Sequence, residues 1–335
     1  MRIGLAYDLK SSFDAKPGHP EDIAEEYDSI ETVQLIASSL EALGNQVIHL
    51  GGGTEFLRNI LAGAGTDMVF NISEGRGNYP GREAQVPSVL EMCDIPYTGS
   101  PPQCLSVCLD KPLTKHLLKA SGILTPGWMV INNRDGLERI DWESVTFPLV
   151  IKPAHEGSSI GIHDCSLVHD SREARSNCAA CLAGYNQPVM LEEFISGEEV
   201  TVGVVGSVSP EVLGIMAIKP RYQTREFMYS IEVKRDYVNQ VDYECPARLP
   251  KSVLEEISRT SLRIFALLGC RDMARIDFRI DSSGRPHFIE INPLPGLGNH
   301  SDLVIMAGLL GISHQSLLQK ILSGALERYP QCIQI

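Results

Sequence analysis

The chain has 335 residues, 43% of them hydrophobic and 21% charged, with a net charge of −13. That length exceeds one hydrophobic core and predicts two or three packed lobes of a globular protein. The acidic balance, with no cluster of Lys and Arg, excludes a nucleic-acid surface, and no apolar run approaches the roughly 18 residues of a membrane span.

The opening MRIGLAYD reads as a short buried strand over residues 2–7, without the basic region and long apolar core of a signal peptide. A helix is predicted next, with Ile23, Tyr27, Ile30, Val33, Ala37 and Leu40 on one face at three- and four-residue steps, ended by Gly44. Strands over 46–50 and 67–71 flank a helix over 57–61. This β-α-β-α-β rhythm predicts a small doubly wound lobe over about the first 100 residues. Gly51-Gly52-Gly53 lacks the GxGxxG spacing and a clear following helix, so no dinucleotide site is read there. The Gly-rich polar loop from Glu74 to Glu83 follows the third strand, where open α/β sheets bind ligands. A helix over 84–92 and the segment 95–102 close the lobe.

Asp110-Lys111-Pro112 starts a helix running through Lys119. A lysine at a helix start gains nothing from the macrodipole, and a bound phosphate would account for it. FPLVIKP is a strand carrying Lys152, followed by the loop HEGSSIG. A strand lysine and a Gly/Ser loop of free N–H groups can cradle phosphates between them. The order is not that of a Walker A motif, in which the loop precedes the lysine. Ile160 to Ile162 reads as a resumed strand, making the loop a β-hairpin lid. Of the nine cysteines, Cys178 and Cys181 form a single CxxC with no second pair, read as two buried or half-buried helix thiols in a reducing cytoplasm. Residues 189–195 and 200–205 are strands joined by a turn, and the carboxylates Glu192 and Glu199 could take ribose hydroxyls. Residues 229–235 read as a mobile polar stretch. Pro250 opens a helix burying Leu254, Ile257, Ile264, Phe265 and Leu268, and residues 301–328 are helical.

The run ARIDFRIDSSGRPHFIEINPLPGLGNHSDL is the most informative. Two alternating segments around Ser282-Ser283-Gly284 read as a hairpin with Arg275, Asp277, Glu290 and Asn292 on one face. Pairing Asp281 with Gly284 sets Arg275 opposite Glu290 and Asp277 diagonal to it, roughly 7–8 Å away. Two carboxylates and an amide oxygen form a hard oxygen site suited to Mg²⁺ carrying a nucleotide phosphate, with Mn²⁺ as an alternative. The rigid loop Pro293 to Gly298, Gly296 included, is a place for site residues.

With Asp110-Lys111, VIKPAHEGSSIG, LEEFISGEEVTV, ARIDF and IEINPLPG in order over nearly the whole chain, the sequence resembles the D-alanine–D-alanine ligase family of the ATP-grasp superfamily. The resemblance implies an α/β fold of three lobes: a doubly wound parallel-sheet lobe (1–103), a central ATP-grasp subdomain with a phosphate-loop lid (104–188) and a C-terminal ATP-grasp subdomain with the Mg²⁺ site (189–335). It implies ATP between the last two, with Lys111, Lys152 and Lys234 on phosphates, Glu192 and Ile195 beside the adenine and Glu199 on the ribose. Asp277, Glu290 and Asn292 would hold two Mg²⁺, and Ser158 and Ser159 would close over the γ-phosphate. A substrate carboxylate would take that phosphate, and an amine would displace the acyl phosphate to give an amide, ADP and phosphate. Arg275 would face the oxyanion, a role worth roughly 3 kcal/mol. The family also suggests a homodimer through the first lobe, and amino acids or small peptides as substrates.

The sequence departs from the family's pattern in three places. Around the first substrate's amine, Glu25 (or Glu26) and Ser158 can fill two corners, but Arg235 stands where the family has tyrosine. The family's HG reads Glu74-Gly75, and its Ser-Leu beside the second carboxylate reads Ser301-Asp302. Replacing an aromatic hydroxyl by the Arg235 cation and a leucine by the Asp302 anion changes charge, and unpaired buried charge is costly. Either Arg235 and Asp302 pair with other groups, or the substrate differs, as in a secondary-metabolite ligase. A non-catalytic nucleotide-binding regulator and a kinase releasing the acyl phosphate are the other classes.

Overall fold

The computed structural model describes every residue except Ala15, Gln223, Arg225 and Ile335. In the first lobe β1 (Arg2–Tyr7) lies between β2 (Gln46–Gly51) and β3 (Met68–Ile72), all parallel. Helices α1 (Ile30–Ala42) and α2 (Gly53–Leu61) make the crossovers, and α3 (Gln85–Met92) follows. Ile3 and Leu5 pack with Val33, Ile36 and Leu40 of α1, while Ala6 packs with Phe56, Ile60, Val86 and Leu90 of α2 and α3. The sheet is therefore covered on both faces, as doubly wound lobes are. α1 starts later than the periodicity predicts: Ser29 caps it by accepting from the Thr32 amide, leaving Ile23 and Tyr27 ahead of the helix. α2 begins within the glycine run, where no clear helix was expected, because Gly52 is extended and serves as its N-cap residue.

Helices α4 (Pro102–Leu109) and α5 (Lys111–Ala120) lead out of the lobe, and the Asp110 carboxylate caps α5 by accepting from the Leu113 amide. The central sheet has the order β4-β7-β5-β6, with β4 (Trp128–Ile131), β5 (Leu149–Pro153), β6 (Leu167–Val168) and β7 (Val189–Glu193). Helices α6 (Arg134–Glu138) and α7 (Ser171–Tyr185) supply its core, with Cys178 and Cys181 buried on α7. A boundary at 188/189 cuts this sheet, since β7 pairs with both β4 and β5. Residues 154–162 form turns rather than a strand-bounded hairpin. Ser158, Ser159 and Gly161 take φ of +48°, +61° and +73°, which is incompatible with extended backbone.

The third sheet has the order β10-β9-β8-β11-β12 and is antiparallel. Its strands and helices are β8 (Glu198–Gly206), β9 (Glu211–Pro220), α8 (Ile231–Arg235), α9 (Tyr237–Gln240), β10 (Val241–Glu244), α10 (Lys251–Leu267), β11 (Asp272–Ile280), β12 (Pro286–Asn292), α11 (Asp302–Leu309) and α12 (His314–Arg328). One face packs Val200, Val202, Ile276, Phe278 and Phe288 against Ile257, Ile264 and Phe265 of α10. The stretch 229–235 contains helix α8, capped by Ser230 and anchored by buried Ile231 and Val233; its polar composition concealed a three-residue anchor. The tail is two helices, broken where Gly311 takes φ +74°.

Residues 194–197 carry the chain from β7 in the central sheet to β8 in the third. Arg279 on β11 holds this crossing, its Nε donating to the Ile195 carbonyl (2.6 Å) and Nη2 to the Gly197 carbonyl (3.0 Å). Its guanidinium also lies 4.6 Å from the Phe194 ring centre.

Candidate active site

The β11–β12 hairpin is longer by two residues than its simplest pairing. Asp281 pairs with Arg285, its amide donating to that carbonyl at 3.1 Å, and a bulge opposite Asp277/Phe278 leaves Ile289 without a partner in the register. As a correction to the expected register, Arg275 stands opposite Asn292 and Asp277 directly opposite Glu290. Direct opposition brings two carboxylates closer than a diagonal does. Thr201 on neighbouring β8 donates to Asp277 Oδ1 at 2.6 Å, and Asn292 Oδ1 accepts from the Leu294 amide at 2.8 Å.

Arg275 balances this acidic face. It donates to Asp277 through Nε (3.1 Å) and Nη2 (2.8 Å), and lies 3.4 Å from Glu290 and 3.3 Å from Asp302. Burial raises the Asp277 carboxyl above its usual range, with Arg275 opposing that and Glu290 adding to it. Burial acts the same way on Glu290, but Lys111, Lys152, Arg275 and Lys234 outweigh it and hold that carboxyl at about 2. The two facing carboxylates are thus pushed in opposite directions, and a divalent cation between them would relieve their mutual repulsion.

A cleft of about 810 Å³ opens between the central and third sheets, lined by Lys152, Ser159, Ile195, Glu199, Lys234 and Asp277 among others. Lys152 Nζ donates to Glu192 Oε2 at 2.7 Å, and Lys115 holds the other oxygen of the same carboxylate. Glu192 is therefore an anchor between two lysines as well as a wall of the cleft. Burial pushes Lys115 down to about 8, Glu192 opposing it. Lys111 donates to the Glu156 carbonyl and approaches Glu290 at 3.6 Å. Burial raises Glu199 to about 7 although Arg279 Nη1 donates to it at 2.9 Å. Lys234, on the last turn of α8, is lowered by burial, with Asp302 opposing the shift.

A second cleft of about 1080 Å³ meets the first at Lys234, Arg275 and Asp302. Glu25, Glu26, Glu74, Ser158, Asn292, Gly296 and Ser301 line it. At Gly296 a Cβ would lie 2.8 Å from Ser301 Oγ, so a larger residue there would displace that hydroxyl. Arg82 and the Gly157 amide grip Glu26, so of the two acidic candidates Glu25 is the one turned toward Lys10 (3.1 Å) and Arg235 (3.2 Å). Arg235 itself is exposed beside this cleft and does not line it. Asp302 is buried, paired with Arg275, and accepts from Tyr229 Oη at 3.4 Å. Both charge-changing departures thus find partners within the chain. Glu74 is driven well above its usual carboxyl value by burial and by Glu26 and Glu83.

Lys115, Thr201 and Arg279 were not singled out from sequence. Lys115 stands four residues after Lys111 on one helix, a spacing that shares a face. Arg279 continues the alternation of Arg275 and Asp277. Thr201 meets Asp277 only across strands, and nothing local signals that.

The family profile described as D-ala D-ala ligase C-terminus matches residues 117–323. A D-alanine–D-alanine ligase of Syntrophotalea carbinolica is 33% identical over 302 residues, 90% of this chain and 92% of that protein. An uncharacterised Sinorhizobium fredii protein, y4sG, is 36% identical over 263 residues, 78% of this chain and 75% of that one. The crystal structure of Bacillus anthracis D-alanine–D-alanine ligase complexed with ATP shares the fold, with a TM-score of 0.76, 24% identity and 99% of each chain covered. The profile match and the identity to the Syntrophotalea enzyme agree with the paired clefts: the chain belongs to the D-alanine–D-alanine ligase family, ATP-dependent enzymes that form carbon–nitrogen bonds.

Proposed function

We propose that the first cleft takes ATP and the second takes two D-alanines, which the enzyme joins through an acyl phosphate. The observation that carries this reading is the meeting of the two clefts at Lys234, Arg275 and Asp302. A carboxylate in the second cleft there reaches a phosphate in the first. Lys111, Lys152 and Lys234 neutralise the phosphates, and Glu199 is placed for the ribose. Asp277, Glu290 and Asn292 fit Mg²⁺, which when bound supplies charge neutralisation to the transferring phosphate. Arg275 then faces the oxyanion formed when the amine attacks. The substrate of the enzymes named D-alanine–D-alanine ligase is carried over to this chain, and it stays compatible with the site because Arg235 lies outside the cleft and Asp302 is paired. A homodimer through the first lobe completes the reading, supported by exposed Leu57, Leu61 and Met92 on α2 and α3.

The test is ADP release with ATP against D- and L-amino acids, singly and in pairs, with product mass. D-Alanine alone should give ADP and a dipeptide, and chelation of Mg²⁺ should abolish both. ADP and an amide only from another pair would reject D-alanine, and ADP without any amide would reject ligation.

A further inference from the structure

Three thiols that the ligase chemistry does not use lie together behind the active-site hairpin. Cys104 and Cys108 are one turn apart on α4, and Cys270 lies two residues before β11. The Cys104 sulfur is 3.8 Å from that of Cys108 and 3.5 Å from that of Cys270, and all three lie within 4.8 Å of one another. Each is at most 6% exposed. A tetrahedral zinc site with Zn–S of about 2.3 Å separates its sulfurs by roughly 3.8 Å. The buried hydroxyl of Ser100 accepts from the Arg271 amide at 3.1 Å, next along the chain from Cys270. We propose that Cys104, Cys108 and Cys270 bind one soft divalent ion of the zinc class, with the fourth position left to solvent.

The charge and the location both suit this. Three thiolates around a divalent ion carry a net charge of −1, and Arg271 is near enough to act on Cys104. Cys108 also lines a cavity of about 300 Å³ shared with Lys111, Glu156, Glu290 and Asn292, which brings the cluster close to the active site. The three S–H bonds break on binding and their protons pass to the buffer, with no electron transferred. The bound ion would tie α4, three residues before Lys111, to the segment entering β11, five residues before Arg275.

The experiment titrates the full-length, reduced chain with Co²⁺ and Cd²⁺, followed by Zn²⁺ competition. The expected result is one ion per chain with tetrahedral Co²⁺ absorption, thiolate-to-Cd²⁺ charge transfer and protons released. Affinity should fall at least tenfold in Cys270→Ser and stay unchanged in Cys178→Ser, whose thiol lies on α7. Wild-type chain that takes up no ion, or an affinity untouched in Cys270→Ser, overturns the site. Because the wild-type titration is decisive by itself, a variant that fails to fold does not blunt the test. ADP release is read separately, so failure of the thiol site leaves the ligase reading standing.

Discussion

At the scale of single residues, Arg275 is held among Asp277, Glu290 and Asp302. Replacing it by Ala should leave ATP binding within a few-fold while turnover drops on the order of 100- to 1000-fold, the loss expected for one oxyanion donor. Nucleotide titration and ADP release read the two effects apart, and unchanged turnover would remove the oxyanion role. Glu83 gives a prediction in pH. It is buried, its Oε2 has no hydrogen-bond partner among the described residues, and burial together with Glu26 pushes it up to about 8. The unfolded carboxyl titrates near about 4.3, so the folded chain binds this proton more tightly and loses stability as pH rises from there through about 8. Glu83→Gln should therefore melt with the wild type near pH 5 and at least about 2 °C above it at pH 9. An equal difference at both pH values would rule out this titration as the cause. These residues also mark what the sequence could convey. Arg275, Asp277 and Glu290 were visible because alternation puts them on one strand face, whereas Glu83 looked like one more charge in a Gly-rich loop. Its burial follows from Arg82 turning inward to Glu26 and Glu156, a contact between distant segments.

Among the elements, α8 carries the most consequence for its length. Ser230 accepts from the Val233 amide at the helix start and donates to Asp164 Oδ1 at 2.6 Å, fixing the five residues that end in Lys234 and Arg235. Loss of such a cap costs about 1 kcal/mol. Ser230→Ala should accordingly raise the KM for ATP about fivefold with little change in melting temperature. Steady-state kinetics checks this, and an unaltered KM would mean that Lys234 is placed by something other than the cap. Helices long enough to show a stripe were legible: α1 and α10 follow from their buried faces, with α1 misjudged only where Ser29 intervenes. Elements set by a cap or by left-handed backbone were not. Nothing in residues 158–161 announces that two serines take positive φ, and the β-bulge at Ile289 moved the hairpin by a register that no periodicity could resolve.

For the whole molecule, five ordered motifs implied three lobes, and the described residues form three sheets. The strand character of β7 was plain, and its place in the central sheet could be known only from its partners. The homodimer proposed through the first lobe should sediment at twice the chain mass, and Leu61→Asp, at a position 82% exposed, should shift it to the monomer; a wild-type monomer at micromolar concentration would exclude it. The crossing at residues 194–197 bears on kinetics. Because Arg279 binds two of its carbonyls and covers Phe194, this seam between the sheets is pinned by a single side chain. The two sheets that wall the first cleft would then part little at this corner, and any opening that lets a product leave would have to come from elsewhere around its rim.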